Sequence, residues 1–149
     1  MSNFNDGIVG DMMYGWARDL FGVNRSLTGV GVRETLSYLT TLVPDLTTHS
    51  IPTGTTAFDW TVPEEWTIRE AYIEDESGKR LVDFGENNLH VVGYSIPTDQ
   101  WMDFEELDTH LHSLPDHPDA IPYVTSYYAR EWGFCLTHEL RQSMKGGRY

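Results

Sequence analysis

The sequence predicts an α+β fold in which two N-terminal amphipathic helices precede a β-rich region with one or two further helices. Near the N-terminus, apolar residues recur at steps of three and four, the helical period. From residue 46 the pattern changes to alternation and to short apolar runs separated by Gly and Pro, as in strands. Helical patterns return around residues 103–114 and 137–144, so helices also occur within the β-rich region.

The two N-terminal helices are predicted over residues 8–21 and 30–43. The first has a stripe at four-residue steps, formed by Ile8, Met12, Trp16 and Leu20. Gly22 ends it, and Thr28 or Gly29 is the expected N-cap of the second helix. Two helices joined by so short a loop should pack against each other or against one sheet.

The β-rich region is predicted to contain strands at 46–51, 58–62, 68–74, 80–84 and 89–94. The third and fourth form a hairpin in which Gly78 supplies the positive φ that its turn requires. A third helix is expected from Asp103 to Leu114, because Asp103 and Glu106 have capping-box spacing. Thr137 is the expected cap of a short last helix.

Residues 121–136 contain the densest aromatic surface of the chain and its only cysteine. Each large aromatic ring buries on the order of 150–250 Å² when packed. The segment therefore predicts a core strand with its lead-in loop, and Cys135 is expected to be a small buried apolar residue. The polar tips of Tyr and Trp keep a second interpretation open, in which the segment forms the wall of a binding cleft.

The chain is acidic, with a net charge of −13. This field repels phosphate backbones, so nucleic acid and anionic membranes are excluded as partners. One cysteine cannot form an internal disulfide, and no apolar run is long enough to span a bilayer. With no apolar leader at the N-terminus, these features predict a cytoplasmic protein.

The loop at 24–29 is the first candidate site. It places Asn24, Arg25 and Ser26 just before a predicted helix N-terminus, where backbone N–H groups favour an anion and an arginine can fork onto a carboxylate or phosphate. The alternative is a capped connector with Arg25 in a structural ion pair. Ser26 lacks the Gly-x-Ser-x-Gly setting of a nucleophile, so it is not assigned a catalytic role.

The six histidines do not predict a metal site within this chain. On the predicted third helix, His110 and His112 would point about 200° apart and could not share an ion. Asp108 and His112 would share a helix face, but no third ligand accompanies them. The sequence also lacks the zinc, phosphate-loop and dinucleotide motifs.

Four ordered segments carry a family resemblance: 24–29 (Asn-Arg-Ser-Leu-Thr-Gly), 58–63 (Phe-Asp-Trp-Thr-Val-Pro), 88–95 (Asn-Leu-His-Val-Val-Gly-Tyr-Ser) and 115–136. Together they resemble bacterial polysaccharide-biosynthesis proteins with an aminopeptidase-like domain. The likeness runs from about Met13 to the last residue, and it corresponds to the N-terminal portion of those proteins. The chain also stops just after a predicted helix exit, which fits an N-terminal portion of something longer.

The resemblance implies a larger α/β fold similar to zinc aminopeptidases, with a smaller β-rich domain inserted. Residues 1–62 would be the opening helices and first strands of the aminopeptidase-like domain, and 63–149 would be the inserted domain, possibly incomplete. Zinc would be the cofactor of the full-length family, with its ligands after the end of this chain and none within it. The expected contribution of this chain is substrate shaping by Asn24, Arg25, Ser26, Tyr127 and Tyr128.

Two other functions stay open at this point. The chain could be a non-catalytic binding or interaction module for a peptide, a sugar or a partner subunit. It could also be completed by a downstream catalytic region or a complementary chain, or form a homo-oligomer through an exposed apolar patch or sheet edge.

Overall fold

The computed structural model describes residues 6–25, 28–144 and 146–149. Within them the chain forms four α-helices and three two-stranded sheets, which confirms the predicted α+β class. The chain divides into two compact units, Met1–Thr67 and Ile68–Tyr149. The domains predicted at 1–62 and 63–149 rest on the family resemblance and stay a prediction.

The two N-terminal helices are present where the apolar period predicts them. Helix α1 spans Asp6–Phe21 and helix α2 spans Val30–Leu42. Gly29, one of the two expected residues, is the N-cap of α2. The Tyr38 hydroxyl donates a hydrogen bond of 2.9 Å to the Asp19 carboxylate, which ties α2 to the C-terminal half of α1.

The remainder of the first unit contains one small hairpin. Strand β1 (Thr56–Ala57) pairs antiparallel with β2 (Trp60–Thr61), and Phe58 at the turn has a φ of 57°. The strand predicted at 46–51 is wrong. Its side chains from residue 47 to 51 are all exposed, so the alternation in the sequence corresponds to no buried face.

The second unit begins with the predicted hairpin. Strand β3 (Tyr72–Glu74) pairs with β4 (Arg80–Asp83), and Gly78 has a φ of 80° as its turn requires. The Asp75 carboxylate accepts hydrogen bonds from the Ser77 and Lys79 amides, at 2.9 and 3.1 Å. The Ser77 hydroxyl also donates to this carboxylate. The hydroxyl bond first, and then the amide bonds, hold the pKa of Asp75 below its ordinary value.

The predicted third helix is wrong beyond its first turn. Helix α3 covers only Phe104–Leu107, a 3₁₀ turn follows at Asp108–His110, and Leu111–His112 is strand β5. Strand β5 pairs in parallel with β6 (Phe134–Cys135). The apolar residues whose spacing predicted a helix are still buried, because Leu107 and Leu111 both enter the core from this turn.

The strand predicted at 89–94 is wrong, because a 3₁₀ turn and isolated bridges take its place. A 3₁₀ turn at Asn88–His90 leads into two isolated bridges, one joining Val91 to Phe134 and one joining Gly93 to Thr125. The Gly93 amide donates to the Val124 carbonyl at 2.9 Å, so residues 93 and 124–125 lie side by side.

The core of the second unit lies around the aromatic segment, as predicted for its C-terminal end. Leu136 and Cys135 are fully buried. Trp132 packs against the hydrophobic cluster that contains Leu136. The cluster consists of Ile73, Val82, Met102, Leu107, Leu111, Phe134, Leu136 and Met144. The start of the segment differs from this interpretation, because Tyr123 and Tyr127 are 78% and 81% exposed.

The last helix and the chain end close the second unit. Helix α4 spans His138–Ser143, and the Thr137 hydroxyl accepts from the Leu140 amide at 3.1 Å, as predicted for its cap. Tyr149 exchanges backbone hydrogen bonds of 2.9 and 3.0 Å with Met102. In the described part of the chain, no helix combines the length and the apolar character that a bilayer crossing demands.

Candidate functional site

The first candidate site is the connector between α1 and α2. Asn24 is half-buried and Arg25 is exposed, whereas Ser26 lies outside the described residues. The Arg25 guanidinium donates to the Leu20 carbonyl at 3.0 Å, near the C-terminal end of α1. Arg25 is therefore a second donor to this carbonyl of the last turn of α1, which also accepts from the Val23 amide at 3.2 Å.

Two glycines allow this connector to lie close to its neighbours. A side chain at Gly31 would place its first carbon 1.8 Å from the Asn24 carbonyl oxygen. At Gly29, where φ is 138°, the same atom would lie 2.5 Å from the Trp66 carbonyl oxygen. Both contacts are with backbone, so only glycine permits the observed path of the chain.

The start of α2 is further fixed by a bidentate ion pair. Both terminal nitrogens of Arg33 contact the Glu65 carboxylate, one at 2.5 Å and the other at 3.0 Å. The hydrogen bond from Arg33 holds the pKa of Glu65 below its ordinary value. No motif or spacing in the sequence indicates that Arg33 makes this contact.

The second candidate site is the turn that carries Tyr127 and Tyr128. Both residues have positive φ, 49° and 70°, a backbone conformation that residues other than glycine rarely adopt. The Ala129 amide donates to the Ser126 carbonyl at 3.1 Å, and the Tyr127 amide donates to the Thr125 hydroxyl at 3.3 Å. The turn leaves Tyr127 exposed and Tyr128 half-buried.

Tyr94 is a component of this site that the sequence analysis missed. Its ring meets the Tyr128 ring edge-on, with centroids 4.6 Å apart and planes at 80°. Tyr94 also has positive φ, 69°, and no residue type or spacing in the sequence indicates that conformation. Burial, followed by the nearby Tyr94 hydroxyl, raises the pKa of Tyr128 above its ordinary value.

Three histidines of the second unit, His90, His110 and His138, make side-chain contacts within the fold. His90 Nδ1 lies 2.7 Å from the Cys135 carbonyl, and His110 Nδ1 lies 3.1 Å from the Trp132 carbonyl. The His110 ring also stacks on the Trp132 ring, with centroids 3.8 Å apart. His138 contacts the Ser113 hydroxyl through Nδ1 and the Gln142 side chain through Nε2, each at 3.0 Å.

His110 and His112 do not lie on one helix, so the angular argument against a shared ion does not apply to them. Burial, followed by Arg141 and then His110, lowers the pKa of His112. Asp108, the other residue considered in the sequence, binds the Arg141 guanidinium instead, with Nε 2.6 Å from Oδ1. Within residues 6–25, 28–144 and 146–149, no three His, Cys, Asp or Glu side chains are grouped to hold a metal ion.

Four large aromatic side chains, Trp60, Trp101, Tyr127 and Trp132, differ widely in exposure. Trp132 is half-buried against His110, whereas Trp60 and Trp101 are 43% and 48% exposed. Tyr127 is more exposed than any of these. Trp60, Trp101 and Tyr127 are therefore not packed into a core, whereas Trp132 packs against the core of the second unit.

Comparison with known proteins places these features in a wider family. The chain is 45% identical over 133 residues to a Clostridium acetobutylicum protein named "Putative polysaccharide biosynthesis protein with aminopeptidase-like domain". The alignment covers 89% of this chain and 30% of that relative, so the chain spans under a third of its length. The resemblance predicted from the four segments is confirmed.

A solved structure agrees with the sequence comparison. The crystal structure of a "putative peptidase" from Clostridium acetobutylicum superimposes with a TM-score of 0.94 and 42% identity. The match covers 97% of this chain and 34% of that protein. In addition, the family model described as "Domain of unknown function (DUF2172)" matches residues 65–149, which is more than half of the chain. The protein belongs to the DUF2172 family.

Proposed function

We propose that this chain is part of a zinc-dependent, aminopeptidase-like hydrolase linked to surface-polysaccharide biosynthesis, and that it shapes substrate rather than supplying metal ligands. The observation that carries the proposal is the 45% identity, over 89% of the chain, to a protein named for its aminopeptidase-like domain. The zinc of such a hydrolase polarises the scissile carbonyl and activates water. Its ligands are assigned to polypeptide other than residues 1–149.

The exposed apolar surface of the first unit supports its completion by more polypeptide. Among its described residues only Gly29 and Val62 are buried. Its exposed large apolar side chains are Ile8, Met12, Met13, Tyr14, Phe21, Val30, Val43, Ile51, Phe58 and Trp60. Helices of this length are marginally stable in water without tertiary packing. This apolar surface is therefore expected to pack against further polypeptide, which would cover it.

We assign that cover to the catalytic region of a longer polypeptide, or to a separate chain that replaces it. Residues 1–62 would then complete the aminopeptidase-like domain, and 63–149 would form the inserted β-rich domain. The alternative cover is a second copy of this chain, which would make a homo-oligomer.

One free, buried cysteine also agrees with a reducing compartment such as the cytoplasm.

The substrate-shaping role is assigned to Asn24, Arg25 and Ser26 in the connector and to Tyr127 and Tyr128 in the strained turn. Arg25 and Tyr127 are exposed, so their polar groups are accessible to a ligand. None of these residues is assigned a part in bond cleavage.

The test compares residues 1–149 with the full-length Clostridium acetobutylicum relative. Each protein is titrated with zinc by calorimetry and assayed on aminoacyl p-nitroanilides with and without a chelator. We expect the relative to bind zinc and to lose its cleavage activity to the chelator, and residues 1–149 to do neither. Stoichiometric zinc binding or chelator-sensitive cleavage by residues 1–149 would contradict the proposal, as would a relative without cleavage activity.

A non-catalytic binding module for a peptide, a sugar or a partner subunit is the second candidate function. The exposure of the Tyr123 and Tyr127 rings favours it, because aromatic side chains are enriched at recognition surfaces. A relative that binds ligand without zinc and without cleavage would establish this candidate in place of the first.

A further inference from the structure

The described residues include four non-glycine positions with positive φ, and three of them are tyrosines of one cluster. The fourth, Phe58, lies at the tip of the β1–β2 hairpin, where a two-residue turn requires such a conformation. Tyr94, Tyr127 and Tyr128 lie at no hairpin tip. Strained backbone of this kind persists only where the surrounding structure imposes it, and it concentrates at ligand-binding sites.

Backbone and side-chain hydrogen bonds impose the strain from two directions. The Ser126 amide donates to the Gly93 carbonyl at 3.0 Å, and the Ser126 hydroxyl donates to the Ala129 carbonyl at 3.1 Å. A side chain at Gly93 would lie 3.3 Å from Thr125, which is tighter than ordinary contact. The turn is therefore fixed against the segment that carries Tyr94.

The two tyrosines of the turn differ in burial. Tyr128 is half-buried in a T-shaped contact with the Tyr94 ring, whereas the Tyr127 side chain is 81% exposed. The Tyr94 and Tyr128 rings are in contact and Tyr127 precedes Tyr128 in the chain, so the three tyrosines are neighbours. An exposed ring on a fixed turn loses little conformational entropy when it stacks on a ligand.

The charge of the segment indicates which ligand it suits. Residues 121–129 contain no charged side chain, although charged residues make up 22% of the chain. The net charge of −13 also repels anionic ligands. An exposed phenol ring, with an aromatic face and one hydroxyl, matches a neutral sugar ring, whose C–H face is apolar and whose edge carries hydroxyls.

We propose that Tyr127 is a stacking platform for a neutral sugar ring and that Tyr94, through its T-shaped contact with the Tyr128 ring, is the positioning residue that fixes it. The proposal names the substrate class for the turn in the proposed function, and it rests on the assignment of that turn to substrate contact.

The test titrates ¹⁵N-labelled residues 1–149 with maltotetraose, with the N-acetylglucosamine tetramer and with tetra-alanine, each to about 10 mM. We expect a neutral sugar to shift the amide signals of residues 93–96 and 123–129, and the peptide to leave them unchanged. Tyr127→Ala should weaken sugar binding at least about tenfold, because it removes the stacked ring. Tyr14→Ala, which removes a similarly exposed ring from α1, should leave binding unchanged.

Tyr94 is tested by conservative rescue. Tyr94→Ala should weaken sugar binding and accelerate hydrogen exchange at residues 126–129, whereas Tyr94→Phe should keep both near their original values. Tyr127→Ala keeps the proposal testable if Tyr94→Ala fails to fold.

Three results would overturn the proposal: no sugar-induced shifts, equal binding by the Tyr127→Ala variant, or shifts produced by the peptide alone. Failure of the hydrolase proposal is distinguishable, because it appears in the zinc and cleavage assays while sugar binding by residues 1–149 stays intact.

Discussion

Arg141 binds Asp108 twice, through Nε to the carboxylate at 2.6 Å and through a terminal nitrogen to the backbone carbonyl at 3.1 Å. The two residues lie 33 positions apart, so the contact ties α4 to the 3₁₀ turn after α3. The hydrogen bond from Arg141 holds the pKa of Asp108 below its ordinary value. A residue from the chain's last helix thus fixes the turn that replaces the expected long helix.

Replacing Asp108 by Asn should lower the free energy of unfolding by about 1 kcal/mol at neutral pH, since the pair is partly exposed and solvent screens it. Because the Asp108 pKa is depressed in the folded state, its contribution is full above the ordinary value of 3.8 and is lost as pH falls below it. The difference between variant and parent should therefore shrink below about pH 4. Urea unfolding at several pH values measures it.

Asp99→Asn is the matched control for this prediction, because Asp99 is an exposed acid in the same unit. It should change the free energy of unfolding by less than about 0.5 kcal/mol at every pH. An Asp108→Asn effect that grows toward acid pH would reverse the expected sign and refute the linkage.

Leu136 and Leu114 offer a second comparison within the same unit. Leu136 has no exposed surface, whereas Leu114 is 40% exposed. Leu136→Ala should destabilise the fold by about 2–5 kcal/mol, because it leaves a cavity in the core as well as losing buried apolar area. Leu114→Ala should cost much less, about 0.5 kcal/mol. Equal effects on the urea midpoint would show that the core is not centred on β6.

The features that the sequence predicted correctly are those with local causes. Thr137 caps α4 and Gly78 supplies positive φ in the hairpin turn, and each signal depends on a few adjacent residues. The helix predicted to Leu114 failed because Leu107 and Leu111 keep helical spacing while the chain changes to a strand. That change depends on the pairing of Leu111 with Phe134, which is distant in sequence.

The candidate site was predicted only in part for the same reason. Tyr127 and Tyr128 were identified from the family resemblance and aromatic density, but composition does not indicate which of the two rings is exposed. Tyr94 was missed because its partner, Tyr128, is brought to it by the bridge between Gly93 and Thr125. Long-range contacts of this kind have no periodic signal in one sequence.

Gly29→Ala should destabilise the start of α2 by about 2 kcal/mol, because the residue has positive φ and the added carbon would meet the Trp66 carbonyl. Gly10→Ala is the control: Gly10 is an exposed α1 residue with no atom within 4 Å of the added carbon. It should stabilise α1 by about 0.5–1 kcal/mol. Native-state hydrogen exchange of the α1 and α2 amides reports both changes. Unchanged exchange in α2 of Gly29→Ala would contradict the prediction.

The Cys135 thiol should react slowly with alkylating agents in the folded protein. It has no exposed surface, and burial raises its pKa to about 11. At pH 8 the lower thiolate fraction alone should slow alkylation about a hundredfold relative to an ordinary thiol, and the rate should climb toward pH 11. Intact-mass analysis after iodoacetamide treatment, with and without urea, measures this protection.

Ser50→Cys provides the internal control, because residue 50 is exposed in the first unit. The variant should gain one rapidly alkylated thiol while Cys135 keeps its slow rate, so a single time course shows both. Rapid labelling of Cys135 without urea would mean that β6 opens readily to solvent. Because Cys135 lies between Phe134 and Leu136 in the core, such opening would also remove the support of the His110–Trp132 stack. Slow labelling in both buffers would instead mean that urea fails to unfold this unit.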